Sequence, residues 1–313
     1  MNINTNPSVD VAVIGGSNAG LSAALALGRA RRSVAVIDDS RPRNAPAGHA
    51  HNVYTRDGTP PGDLLRIGRE QLEPYGVRFL VARATGVDGG KGAFRLTLSG
   101  GQTLTAARLL LATGVADVLP EVPGLLELWG RSVFTCPYCH GWEVRDTPLA
   151  VLEGGDTAYV RMIQNWSRDL VLVTGEHTTF TDEQLGDLDA RGVAIVKADV
   201  TRYEVRDGEL SALHLSNGRR LERRAVFMRP SVRLRGDLHE QLGCALSDDR
   251  SRVVADEMGR TSVPGVYAAG DMVSPMAAVI VAAASGTKAA AMLNHEFVMA
   301  TPKPEPKGIE TPV

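Results

Sequence analysis

Residues 9–38 constrain the fold more than any other stretch of this 313-residue chain. Val9-Asp10-Val11-Ala12-Val13-Ile14 is a short apolar run ending in glycines, the pattern of a strand buried on both faces of a parallel sheet. A helix rich in alanine and leucine is expected from Leu21 to Arg32, and Ser33-Val34-Ala35-Val36-Ile37 is a second strand. Together they make a βαβ unit, which opens a doubly wound α/β domain. Gly15-Gly16-Ser17-Asn18-Ala19-Gly20 joins strand to helix where a dinucleotide fingerprint belongs. Gly15 permits the tight turn, Gly20 lets the helix pack on the sheet, and the helix N-terminus faces a pyrophosphate. Ser17 replaces the usual middle glycine and is small enough for close backbone approach. Asp38 closes the second strand 18 positions after Gly20, where an acid holds ribose hydroxyls. A plain tight turn would carry the same glycines; the order of strand, glycines, helix, strand and acid is what separates the two.

Further along, Pro42 to Pro61 is dense in Pro, Gly, Asn and His, and reads as an irregular excursion over a ligand. A helix is expected over Asp63–Tyr75, a strand over Val77–Leu80, and a hairpin of Phe94–Leu98 with Gln102–Leu104 across Ser99-Gly100-Gly101. Arg108 to Gly114 returns to the parallel-strand pattern, and Pro120, Pro123 and Gly124 mark a crossing between domains. Leu149–Leu152, a helix over Ala158–Trp166 and Leu170–Val173 form a second, weaker βαβ unit. The chain then returns to the first domain near Asp248, through Val253-Val254, Val266–Ala269 and a long helix from about Ala277. The expected architecture is α/β, with two Rossmann-like doubly wound domains. Residues 1–118 and 248–300 make one discontinuous domain, 119–247 an inserted one, and 301–313 a proline-rich flexible tail.

Cys136-Pro137-Tyr138-Cys139-His140 carries the chemistry. Two cysteines at this spacing close a small disulfide ring, and a neighbouring acid/base group lets one sulfur leave or attack as thiolate. The alternative, half of a zinc site, needs a second ligand pair, and the only other cysteine is the isolated Cys244, which reads as a buried structural thiol. No metal is therefore expected. The unperturbed pKa of histidine lies near neutrality, which suits His140 to proton transfer. A net charge of −2 gives no electrostatic reason to bind nucleic acid or an anionic membrane, and scattered Trp129, Trp142 and Trp166 make no base-stacking platform. No apolar run reaches membrane-spanning length. Met1–Thr5 lacks the layout of a secretion signal, and three cysteines suit a reducing cytoplasm.

Ala112-Thr113-Gly114 resembles the second glycine signature of two-dinucleotide flavoproteins, and Gly265-Val266-Tyr267-Ala268-Ala269-Gly270-Asp271 resembles their C-terminal flavin motif. Asp271 taken alone could be a helix N-cap. With the fingerprint and the CxxC, these segments resemble the low-molecular-weight thioredoxin reductase family over roughly Asp10 to Glu296. The resemblance implies bound FAD, a homodimer and a CxxC in the inserted nicotinamide-type domain. By motif position Gly15, Ser17, Gly20, Asp38, Asn52, Thr113, Gly114, Gly270 and Asp271 would meet the cofactor. Cys139 would face the flavin, and Cys136 would be the interchange thiol. His140 stands where these reductases have Asp, and with Gly141, Trp142 and Glu143 it resembles the branch of dithiol oxidases acting in gliotoxin, holomycin and romidepsin biosynthesis.

The nicotinamide fingerprint is damaged. Val151-Leu152-Glu153-Gly154-Gly155-Asp156 puts Glu153 in place of the first glycine and adds Asp156, and Thr174-Gly175-Glu176-His177 stands where arginines would meet a 2′-phosphate. Arg161 and Arg168 fall on or just after the helix instead. The expected activity is therefore oxidation of a small-molecule dithiol, with O2 reduced to H2O2. A reductase driven by NAD(P)H or ferredoxin and acting on a thioredoxin-like protein is the alternative, and a flavin-binding redox sensor is a third. His49 and His51 are either solvated loop residues or a second proton acceptor.

Overall fold

In a computed structural model, residues 8–152 and 156–300 are described. The opening strand, Ser8–Ile14, pairs in parallel with Val34–Asp38 on one side and with Thr103–Leu111 on the other. Its alternation sorts side chains onto two cores. Val11 and Val13 pack toward the first and last helices with Leu27, Ala289 and Leu293, while Ala12 and Ile14 face the opposite layer with Leu96 and Val266. The seven-stranded sheet is completed by Arg78–Val81, Ala93–Leu98, Ala84–Gly90 and Val266–Ala268. A second sheet of five parallel strands is built on Leu149–Leu152, Leu170–Val173 and Ala225–Phe227, flanked by Ala194–Val196 and Val133–Phe134.

Several elements differ from expectation. The first helix spans Asn18–Arg29 and begins inside the fingerprint, so Gly20 is helical. The expected Asp63–Tyr75 helix ends at Glu70 and resumes only as a 3-10 turn over Glu73–Tyr75, because Pro74 lacks the N–H a continuous helix requires. Thr103–Leu111 is one strand, not two; its first half pairs with Ala93–Leu98 and its last residues with Val266–Ala268. The second unit's helix is shorter than expected, Thr157–Ile163. Val253 makes only an isolated bridge to Leu246. A three-stranded antiparallel sheet, Val200–Arg206, Glu209–Leu215 and Arg220–Glu222, was not anticipated. Ser231–Leu234 pairs with Val115–Val118, and Leu234, Leu238 and Cys244 join the core of the first sheet. Packing thus favours a return to the first unit near Ser231, ahead of Asp248. The expectations for Glu153 and for the 301–313 tail lie outside the described residues.

The last helix, Val279–Ala300, runs against the first, with Ser22 Oγ and Thr287 Oγ1 2.7 Å apart and Arg32 Nε donating to Asn294 Oδ1 at 2.8 Å. Among the described residues no helix is long and apolar enough to cross a membrane.

Candidate active site

The fingerprint turn and the CxxC open into one cleft of about 2000 Å³. Gly15 has φ +108°, and a β-carbon there would collide with the Ala112 carbonyl, so the chain can turn here only with glycine. The Asp38 carboxylate accepts from the Gly16 N–H at 3.0 Å and from Arg69 at 3.1 Å, which fixes the acid at the cleft wall. Ser17 precedes the first helix without capping it through its side chain, and no acid occupies the first turn. That turn therefore presents open amides to the cleft, a fit for a pyrophosphate. Thr113, Gly114, Gly270 and Asp271 line the same cleft. Of the expected cofactor residues, Gly20 alone does not; it lies under the turn, where a β-carbon would strike the Gly15 carbonyl.

Asp271 is paired with Arg43 at 3.0 Å, and Arg43 also reaches Asp117 at 2.5 Å. Burial works against the Arg43 charge, but the two carboxylates outweigh it and push its pKa up. Sequence reading missed Arg43, because its partner Asp271 is 228 positions away and no local pattern marks it.

Cys136 and Cys139 form a disulfide with Cα atoms 5.3 Å apart, across the short helix Pro137–His140. The His140 ring stacks on Phe134, centroids 4.4 Å apart. Burial, with a smaller contribution from the nearby His51 charge, lowers the His140 pKa to about 4. The fold thus moves His140 away from histidine's unperturbed value, and at neutral pH it is an uncharged imidazole stacked on Phe134. Asn52, at φ +58°, donates from Nδ2 to the Tyr138 carbonyl, so it meets the CxxC segment directly. His51 lies between Asp57 and Glu143, at 3.4 Å from each, while His49 is exposed with its ring 6.3 Å away.

The lowered His140 pKa has a consequence for stability. Below pH 6.5 the unfolded chain takes up a proton that the native state refuses until about pH 4, so stability falls with pH across that window. The contribution is about 3 kcal/mol. His140→Asn should flatten this acid limb in urea titrations run at a series of pH values. An unchanged slope would place the ring in water.

In the second unit the helix Thr157–Ile163 is capped: Asp156 accepts from the Tyr159 N–H at 2.8 Å. After the strand Leu170–Val173, Asp199 accepts from the Glu176 N–H at 3.2 Å and fills the space beside Gly175. Tyr159 is buried, donates to the Thr135 carbonyl at 2.8 Å and carries Arg229 over its ring at 4.1 Å.

Comparison with known proteins agrees with this geometry. The family model described as pyridine nucleotide-disulphide oxidoreductase matches residues 9–286. A protein named thioredoxin reductase sirT from Leptosphaeria maculans is 32% identical, covering 93% of this chain and 95% of that protein. The crystal structure of HlmI superposes with a TM-score of 0.87 at 39% identity, covering 93% of each chain. That of a putative thioredoxin reductase TrxB from Bacillus anthracis gives 0.88 at 32%, covering 93% of this chain and 99% of that one. The chain therefore belongs to the pyridine nucleotide-disulphide oxidoreductase family, as a thioredoxin reductase-like flavoprotein that binds FAD.

Proposed function

We propose that this flavoprotein is a dithiol oxidase that closes a disulfide in a small natural-product dithiol and delivers the electrons to dioxygen. One dithiol and one O2 give one disulfide and one H2O2. The observation that carries this reading is the contrast between two helix N-termini. The first helix leaves its amides open to the cleft, whereas Asp156 caps the second unit's helix and sets a carboxylate where a nicotinamide nucleotide would bring phosphate. The acids Glu176 and Asp199 repeat the mismatch at the expected 2′-phosphate position. With acids at both of these positions, electrons would enter from the substrate in place of NADPH.

One substrate thiolate attacks Cys136, forming a mixed disulfide and releasing Cys139 as thiolate. The second substrate thiolate attacks the substrate sulfur of that bond; the product disulfide leaves and Cys136 departs as thiolate. Bound FAD supplies a two-electron acceptor for the CxxC dithiol and a route from it to O2. Gly15, Ser17 and the open helix turn would hold its pyrophosphate, with Asp38 at the ribose. Thr113, Gly114, Gly270 and Asp271 would lie along the remainder. His140 handles the thiol protons. A homodimer is implied by the resemblance, and cysteine usage favours the cytoplasm.

The names of the relatives favour the alternative, a thioredoxin reductase, which NAD(P)H or ferredoxin would feed. An oxygen electrode combined with a peroxide assay separates the two. Small dithiols without nicotinamide should consume O2 and yield H2O2 one for one, at a rate NADPH does not change. Oxygen uptake that requires NADPH, or disulfide reduction in its place, would overturn the proposal.

A further inference from the structure

His140 alone cannot keep a proton taken from a thiol. Burial against Phe134 disfavours a charged imidazole at His140, so a proton taken from a thiol does not stay on this ring at neutral pH. A proton leaving the dithiol needs a second, better-supported acceptor. The loop that precedes Asn52 supplies one. His51 lines the same cleft as Cys136, Cys139 and His140, and its charge is felt at His140. Both of its ring nitrogens face carboxylates: Nδ1 lies 3.4 Å from Asp57 Oδ2, and Nε2 lies 3.4 Å from Glu143 Oε1. The His51 side chain is 21% exposed, whereas Glu143 is 41% and Asp57 69% exposed. Exposure thus rises from His51 to its two carboxylate partners.

Two contacts hold this arrangement in register with the sulfurs. The Asp57 carboxylate accepts from the Asn52 N–H at 2.7 Å, and Asn52 in turn donates to the Tyr138 carbonyl between the cysteines. Glu143 follows the CxxC helix by three residues, so one chain segment carries both the disulfide and a partner of His51.

We propose that His51, held between Asp57 and Glu143, is the proton port of the CxxC: it takes thiol protons handed on by His140 and exchanges them with solvent through the two carboxylates. His140 passes a proton without storing charge, gaining it on one ring nitrogen as it loses one from the other. A proton passing through His51 lies beside the Asp57 and Glu143 carboxylates, and positive charge at this point of the cleft favours thiolate at Cys136. Asp57 and Glu143 are positioning residues that act through His51. Protons exported while the dithiol is oxidised return when O2 becomes H2O2, so the cycle releases none. The groups facing His51 are Asp57, Glu143, His140 and His49.

This inference rests on the CxxC being the reacting pair, but its test needs neither substrate nor oxygen. Reduced holoenzyme is alkylated with iodoacetamide under argon across a pH series, and peptide mapping by mass spectrometry separates Cys136 from Cys139 and Cys244. In wild type, Cys136 should be modified at neutral pH as a thiolate. In the Asp57→Asn/Glu143→Gln double variant and in His51→Asn, the neutral-pH rate should fall about tenfold, and the profile should move to higher pH by about one unit. Glu143→Asp in an otherwise native chain should retain most of the native rate. Flavin content, read from the visible spectrum, should be unchanged in all variants, which shows them folded. If Cys136 alkylates with the wild-type pH profile in His51→Asn, the port is not His51, whatever turnover assays show. A shifted profile alongside failure to oxidise any dithiol would leave the port standing and remove the oxidase.

Discussion

Cys136→Ser should stop dithiol turnover and leave a yellow protein with altered colour. The two sulfurs are joined in the structure and sit on opposite ends of one helical turn. Without Cys136 no mixed disulfide forms with substrate, and the loss should exceed roughly the 10²–10⁴-fold effect of a single general base. Cys139 then remains as a free sulfur in the cleft. If it is the flavin-facing member, its thiolate can donate charge to the electron-poor ring, and absorbance should appear at wavelengths beyond the flavin's own bands. Cys139→Ser should stop turnover as well, without the new absorbance. Spectra of the two purified variants decide the assignment. The long-wavelength band in Cys139→Ser alone would exchange the roles of the sulfurs.

The parts of this site legible in the sequence are those whose physics is local. Gly15 and Asp38 could be read because a tight turn and a strand-end acid leave a fixed spacing, and the structure puts both at the cleft. The CxxC is equally local. What could not be read depends on contacts between distant segments. His140 looked like an ordinary imidazole; its pKa falls because burial desolvates it, with a smaller push from His51. Asn52, His49 and His51 could be picked out of the irregular Pro42–Pro61 segment, but nothing in it announced that Asp57 would turn back to hold both Asn52 and His51. Arg43 was invisible for the same reason. In the fold, the Ala84–Gly90 strand escaped notice because three of its seven residues are glycine, a weak strand former. The Asp207-Gly208 turn of the unanticipated antiparallel sheet, at φ +53° and +77°, did carry a readable hairpin signal. Pro74 was likewise visible and marked where the expected helix had to break.

The identity of the electron donor tests the central claim most directly. Asp156 occupies the second unit's helix N-terminus, and Glu176 with Asp199 lies beyond the next strand, so a nicotinamide nucleotide bound as the proposal assumes would meet negative charge at both points. Each uncompensated repulsion of this kind costs on the order of 1 kcal/mol or more, and the two act on the same ligand. The measurement is anaerobic mixing of the purified flavoprotein with either NADPH or a small dithiol, following the visible flavin absorbance in a stopped-flow instrument. The account predicts that the dithiol bleaches the flavin within turnover time and that admitting air restores the colour with formation of H2O2. NADPH at the same concentration should leave the spectrum unchanged over many turnover times. Rapid bleaching by NADPH, with none by dithiols, would contradict the account and identify the chain as a reductase.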